Sequence, residues 1–116
     1  MGLPESTVKK QIRGVLRSCG IWHYNHYNGG QYQGRKGISD LIGIFEGRYL
    51  AIEVKHEDWM PPNPGMKSWE HYKEQDDFHK EVRAAGGIAF FATCVEDVIR
   101  ELKLTAQVFP LFTKSG

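Results

Sequence analysis

Asp40, Glu53 and Lys55 are the residues of this chain whose types and spacing packing alone does not explain. They lie in GISDLIGIFEGRYLAIEVK, residues 37–55, where two apolar runs meet at Glu46-Gly47. An acidic-Gly pair between β-rich segments marks a hairpin, because glycine supplies the positive φ of a tight primed turn. With those two residues as the loop, Phe45 faces Arg48 and Asp40 falls opposite Glu53. Directly opposed residues share a face, with Cβ atoms roughly 4.5–5.5 Å apart. Two carboxylates so placed repel unless a cation sits between them. Lys55 lies two residues beyond Glu53 on the same face, while Leu50, Ile52 and Val54 form a core stripe on the other. A three-residue loop would send Asp40 to the opposite face; a four-residue loop keeps the parity and sets it diagonal to Glu53.

Such a cluster suits a hard divalent cation. Mg²⁺ prefers oxygen ligands, keeps several waters, and takes one or two protein carboxylates plus substrate phosphate. Asp40 and Glu53 are the candidate ligands, with the Val54 backbone carbonyl a third. An ion there lowers the pKa of a bound water and offsets charge building on a phosphate. Lys55 could orient the attacking water or stabilise the pentavalent state. The strand itself does not need Lys55 for folding.

The elements that must position these residues can be read along the chain. Val8, Ile12, Val15, Leu16 and Cys19 fall at helical spacing, with Pro4 in the first turn and Gly20 at the end. Extended backwards, that stripe reaches Glu5, which is open to two readings: an acid favoured by the helix dipole, or a member of the acidic site. Lys9, Lys10, Arg13 and Arg17 fall on the outward face, where they suit phosphate contacts or plain solvation.

Ile21–Tyr27 reads as a strand and Asn28–Lys36 as a polar, glycine-rich loop. Tyr24, Tyr27, Tyr32, Arg35 and Lys36 are types that contact sugar-phosphate or stack on bases. Cys19, His23 and His26 lack a fourth ligand at workable spacing, and strand alternation separates the two histidines, so no zinc is expected. Residues 56–67, HEDWMPPNPGMK, cannot be regular structure. Its Trp59 and Met60 either fold back on the core or mark an interface.

Ser68 is placed to cap a helix from Trp69 to about Ala85, stopped by Gly86-Gly87. Its inward stripe is Trp69, Tyr72, Phe78, Val82 and Ala85, and Gln75 sits on the same stripe. A buried amide needs partners, either a neighbouring strand's backbone or the acidic cluster. Ile88–Thr93 is a continuous apolar run, hence a buried strand. Thr93 and Glu96 form a capping box for a last helix with Val95, Val98, Ile99 and Leu102 inward. Val108–Phe112 could add an edge strand or pack on a partner chain.

Composition bounds the reading. The 116 residues suit one domain, 41% hydrophobic and 25% charged. No run approaches the ~18 apolar residues of a membrane span, and residues 1–20 lack a signal peptide's apolar centre, so a cytoplasmic, membrane-free protein is expected. Cys19 and Cys94 are unpatterned, consistent with free thiols. Residues 1–48 carry seven Lys or Arg against three acids and residues 49–116 eight against eleven, so the N-terminal half looks toward a polyanion.

Asp40, then Glu53-Val54-Lys55 across a hairpin, preceded by a helix with Glu5 and followed by one with Gln75, resembles the PD-(D/E)XK nuclease superfamily. Within it the pattern is most similar to the VRR-NUC (virus-type replication-repair nuclease) family, over about residues 3–103, with 104–116 as a tail. The matching parts are Glu5, the G-x-x-D of Gly37 to Asp40, the E-x-K of Glu53 to Lys55, and Gln75 in Gln75-x-x-Phe78. Ser39 stands where this superfamily usually has proline.

The resemblance implies an α/β, restriction-endonuclease-like mixed sheet flanked by helices, in the order αβββαβα. It implies a Mg²⁺- or Mn²⁺-dependent DNA endonuclease leaving 5′-phosphate and 3′-hydroxyl ends, in a bacterial or phage-type host compartment. Glu5, Asp40, Glu53, Lys55 and Gln75 would be catalytic, Asp40, Glu53 and the Val54 carbonyl would hold metal with Glu5 a further candidate, and Lys9, Lys10, Arg13, Arg35 and Lys36 would contact DNA. Similarity to Holliday-junction resolvases implies branched DNA and a two-fold homodimer. Two other readings fit the residues: a module that grips branched nucleic acid without cutting it, and a structural domain whose acids are merely solvated.

Overall fold

The hairpin forms with the two-residue turn its sequence demands. Glu46 and Gly47 both take positive φ, 51° and 78°, the primed geometry whose twist matches that of the flanking strands. Phe45 therefore pairs with Arg48 and Leu41 with Ile52. The computed structural model describes residues 2–26 and 35–104. Its elements are α1 (Glu5–Ser18), β1 (His23–Asn25), β2 (Leu41–Phe45), β3 (Arg48–Val54), α2 (Trp69–Ala84), β4 (Ile88–Ala92) and α3 (Val95–Leu102), in the expected order.

The four strands make one mixed sheet in spatial order β1-β2-β3-β4. The first two pairings are antiparallel and the last is parallel. A parallel neighbour requires a crossover, and α2 supplies it between β3 and β4. Side-chain alternation then separates two cores. Leu50, Ile52 and Val54 join Val8, Ile12 and Leu16 of α1 and Val98 and Leu102 of α3. On the other face Ile42, Ala51 and Ala89 meet Phe78 of α2. The face that carries Glu53 is therefore covered by a helix and is not solvent-facing.

Local chemistry ends the helices as expected at their C-termini and differently at two N-termini. Gly20, at φ 68°, lets Ile21 N–H reach the Leu16 carbonyl (2.9 Å) and Gly20 N–H the Arg17 carbonyl (3.0 Å), the paired bonds that close a helix through a left-handed residue. Gly86 and Gly87 do the same for α2, bonding the Arg83 and Val82 carbonyls at 3.0 and 2.8 Å. Ser68 does not cap α2 with its side chain: at φ −88°, ψ 1° it lacks the extended backbone that turns a hydroxyl over the first amides. The capping partner of Thr93 is Asp97, not Glu96: Asp97 Oδ2 accepts from the Thr93 N–H at 2.9 Å and hydroxyl at 3.2 Å.

Among the described residues of the expected Ile21–Tyr27 strand, His23–Asn25 pair in register with β2 and Ile21, Trp22 and His26 do not. Tyr27, Tyr32, residues 28–34 and the Val108–Phe112 run lie outside the described residues. Ala85 is exposed instead of inward, whereas Trp59 folds back and Met60 stays 77% exposed. Both cysteines are free. No helix among the described residues is long and apolar enough to cross a membrane.

Two glycines separate backbone conformation from packing. Gly47 and Gly37 both have positive φ, but a Cβ at Gly47 would meet open space, whereas one at Gly37 would run into the Glu74 carbonyl of α2. In urea unfolding, Gly47→Ala is expected to cost about 1 kcal/mol. Gly37→Ala is expected to cost at least about 2 kcal/mol, because the steric conflict adds to the backbone strain.

Candidate active site

β2 stops pairing at Leu41, and the next residue back, Asp40, uses its side chain where the ladder would have used backbone. Asp40 Oδ2 accepts the Val54 N–H of β3 at 2.9 Å, while the Asp40 carbonyl accepts from His26 N–H at 2.6 Å. With Leu41 opposite Ile52, the register carries Asp40 to the position opposite Glu53. Glu53 is buried, 5% exposed, and pairs laterally with Phe91 of β4. Lys55 Nζ stands 3.7 Å from Glu53 Oε2, and its own backbone N–H is bound to the Ala92 carbonyl at 2.9 Å. Asp40, Glu53 and Lys55 thus meet at one end of the sheet.

The electrostatics of this trio follow from burial. Loss of water pushes the Glu53 carboxyl up to about 9; the Asp40 charge and a hydrogen bond to Asp40 add to that, Glu5 adds a smaller push, and Lys55 opposes. In the metal-free protein Glu53 is therefore protonated at neutral pH and donates to Asp40. A buried carboxylate beside a second one must either hold a proton or meet a cation.

The first helix approaches the same end. Glu5 is its first residue, exposed rather than part of the buried stripe, and close enough for its charge to act on Glu53. Lys9, expected on the outer face, instead turns inward, with Nζ 3.6 Å from Asp40 Oδ1 and 3.5 Å from Asn25 Oδ1. A long stem lets the ammonium reach the acid while its methylenes cover apolar surface. Lys9, Lys10, Arg13 and Arg17 line a shallow groove with Glu5 and Ser6, and Arg13 Nε lies 3.3 Å from His23 Nε2.

Arg35 is not part of that basic row. It makes a bidentate pair with Glu81, at 2.9 and 2.7 Å, and lies 5.0 Å over the Phe78 ring on the α2 side of the sheet. Lys36 beside it is exposed.

Gln75 is buried, at 4% exposure, and its position is fixed by the chain that leads into Asp40. Gly37 packs on the α2 backbone at Glu74–Gln75. One turn on, His79 Nε2 makes a 2.7 Å bond with Ser39 Oγ. The Gln75 amide nitrogen reaches His71 Nε2 at 3.3 Å, while its Oε1 is buried without a partner. In the sequence Ser39 stands out only as the residue before Asp40, and its buried partner His79 does not stand out at all. The available signal was His79 four residues after Gln75, on the same helix face. Burial, aided by Arg83 and Lys55 and resisted by Asp76, lowers His79 to about 4, so its ring is neutral.

Among the described residues no three His, Cys, Asp or Glu side chains are grouped as a metal site. The acidic group is the Asp40–Glu53 pair. It fits a cation that takes one or two carboxylates and completes its shell with carbonyls and water, and it does not fit one that needs a full protein cage. Val54 contributes in the same direction, because a strand residue's N–H and C=O point to the same side and its N–H already points at Asp40.

A solved VRR_NUC domain is similar to this chain, covering 87% of this chain and 96% of its own length, with a TM-score of 0.63 and 22% identity. The chain has the fold of that domain. No protein-family model and no curated protein matches the sequence.

The protonation of Glu53 sets a pH dependence for the metal-free protein. Between about 4.5 and 9 the folded state keeps a proton that the unfolded state gives up, so stability falls as pH rises through that window. His79, lowered from 6.5 to about 4, costs stability as pH falls through its own window. Above pH 6.5 the Glu53 contribution changes first, and the Cys19 and Cys94 thiols, raised by burial, join it as pH nears 9 in wild type and variant alike. Glu53→Gln, which mimics the protonated acid, is expected to raise Tm at pH 8 by about 5 °C or more and to flatten the Tm-against-pH curve. Parallel curves for the two proteins from pH 6.5 to 9 would count against a protonated Glu53.

Proposed function

We propose that this chain is a VRR-NUC-type nuclease that hydrolyses DNA phosphodiester bonds with Mg²⁺ or Mn²⁺ at the Asp40–Glu53–Lys55 cluster. The observation that carries this reading is the meeting of two carboxyls and a lysine at one sheet end, on a fold shared with a VRR_NUC domain. Asp40, Glu53 and the Val54 carbonyl would hold the ion, which when bound supplies an acidified water and offsets phosphate charge. Glu5 is the further acid at hand.

The chain's own groups then have separate tasks. Asp40, tied to Val54 by its own hydrogen bond, is pre-set in direction, with Oδ1 facing Lys9. Glu53 would lose its proton to solvent were a cation held beside Asp40. Lys55 presents an ammonium next to Glu53, where it can hold the attacking water or stabilise negative charge on the phosphoryl oxygens. Gln75, whose oxygen is buried without a partner, is available to accept from a bound water. Lys10, Arg13 and Arg17 would carry the phosphate backbone along α1, and Lys9 would exchange Asp40 for phosphate as the ion enters.

Branched DNA and a homodimer belong to the same proposal, on the resemblance of the sequence motifs to small junction-resolving nucleases. Paired cuts across a four-way junction need two sites related by a two-fold axis.

The test is Mn²⁺-dependent cleavage of four-way junction, flap and duplex DNA, with sedimentation to give the oligomeric state. Lys55→Ala is expected to lower kcat by about 100-fold or more, and Asp40→Asn to remove metal-dependent cleavage. Cleavage indifferent to Lys55→Ala overturns the assignment. Salt-sensitive binding with no products under any metal would instead favour a non-cutting module.

A further inference from the structure

We propose that Trp59, on the proline-rich loop after β3, is a positioning residue that holds the Lys55 ammonium at the candidate site through the face of its indole ring. The inference rests on the nuclease reading above and adds a residue that the D…E-x-K pattern does not contain.

Lys55 Nζ lies 5.5 Å from the Trp59 ring centroid, inside the range in which a cation is attracted to an aromatic face. Glu53 Oε2 holds the same nitrogen at 3.7 Å, and the lysine side chain is only 14% exposed. A lysine is a point charge on a flexible four-carbon stem; two partners define a position where one would leave an arc. A cation bound by Glu53 would draw on the carboxylate that faces Lys55, whereas the indole face would be unaffected.

Trp59 is itself held firmly. Its ring stacks on Phe91 at 5.1 Å with 21° between the planes, and Tyr72 of α2 lies 6.0 Å away. Phe91 is the register partner of Glu53, so the indole is fixed to the strand beside the acid it serves. The loop is pinned from the other side by the segment that starts α1. Gly2 N–H donates to Asp58 Oδ2, Leu3 N–H to Glu57 Oε1, and Glu57 N–H to the Leu3 carbonyl, each at 2.9 Å. Pro61, Pro62 and Pro64 then limit the backbone freedom of the rest of the loop. Met60 and Met66 of the same loop are 77% and 52% exposed, so of its three large apolar residues the loop turns Trp59 inward, and that one meets the lysine.

The experiment compares Trp59→Phe, Trp59→Leu, Lys55→Ala and the Trp59→Leu/Lys55→Ala pair. Measured quantities are kcat and KM for Mn²⁺-dependent cleavage, Tm, and the Lys55 side-chain Hε resonances of the metal-free protein. Expected are upfield ring-current shifts of Hε that survive in part in Trp59→Phe and vanish in Trp59→Leu. With them, kcat falls about tenfold in Trp59→Leu at a KM within about twofold, and recovers in Trp59→Phe. Trp59→Leu adds nothing in the Lys55→Ala background.

Unshifted Hε resonances in the wild type overturn the proposal, as does a kcat loss in both Trp59 variants that follows Tm alone, or one that is additive with Lys55→Ala. A wild-type protein that cuts no DNA removes the nuclease reading, while the resonances still decide whether the ring holds the ammonium.

Discussion

The hydrogen bond from Val54 N–H to the Asp40 carboxylate is the contact on which the rest of the site depends. It forms where β2 has stopped donating backbone partners to β3, and it converts a frayed ladder into a fixed junction. Through its carbonyl the same residue receives His26 N–H, and through its other carboxylate oxygen it faces Lys9. One residue, by its side chain and its carbonyl, therefore ties the start of β2 to β3, to α1 and to the chain just after β1. The β2–β3 backbone pairing ends at Leu41 and Ile52, and the Asp40 carboxylate lets it end without an unpaired amide at Val54. A backbone N–H buried without a partner would cost about as much as a lost hydrogen bond.

Glu53 shows the cost of placing an acid there. The face it occupies is otherwise Ile42, Ala51, Ala89 and Phe78, closed by α2, so the carboxyl has been taken out of water into apolar surroundings. An effective penalty of several kcal/mol per buried ion is expected, and the protein avoids it by leaving the proton on. Two lysines stand near the acids without close contact, Lys55 Nζ at 3.7 Å from Glu53 and Lys9 Nζ at 3.6 Å from Asp40. Under the proposed function, a cation entering between the two acids would offset the charge that the proton now cancels. The unpartnered Gln75 oxygen points the same way, since buried polar atoms rarely lack a partner.

What the sequence disclosed follows the range of the interaction. The turn at Glu46-Gly47 is local, and because strand parity is fixed at two, it set Asp40 opposite Glu53 with no knowledge of the rest. Apolar stripes placed α1, α2, β4 and α3, and Gln75 stood out because it broke a stripe. The Ser39–His79 bond did not, because histidine on an amphipathic helix is equally at home in the core or at its rim. Lys9 was misplaced by helical phase alone, which locates a Cβ but not the end of a flexible stem. The capping of Thr93 by Asp97 differs by one residue from the expected box, a choice made by side-chain reach. The clamp between residues 2–3 and 57–58 joins points more than fifty positions apart and has no periodic trace at all.

The position of the site in the sheet has a reason in topology. β3 and β4 run parallel, so their carboxyl ends lie side by side, and α2, as the crossover between them, leaves and returns over that same sheet. In open α/β sheets such carboxyl ends are where ligands settle, because the loops that follow the strands diverge there. Here the chain after β3 becomes the proline-rich loop, which brings Trp59 back to Lys55, while the N-terminal end of α1 brings Glu5 and Lys9 from the opposite face. An active centre at the middle of β3 would have had helices on both sides and no entry. At its end, β3 contributes Glu53, the residue before β2 is Asp40, the proline-rich loop contributes Trp59 and α1 Glu5 and Lys9, and Asp40 bonds to the last amide of β3 between them.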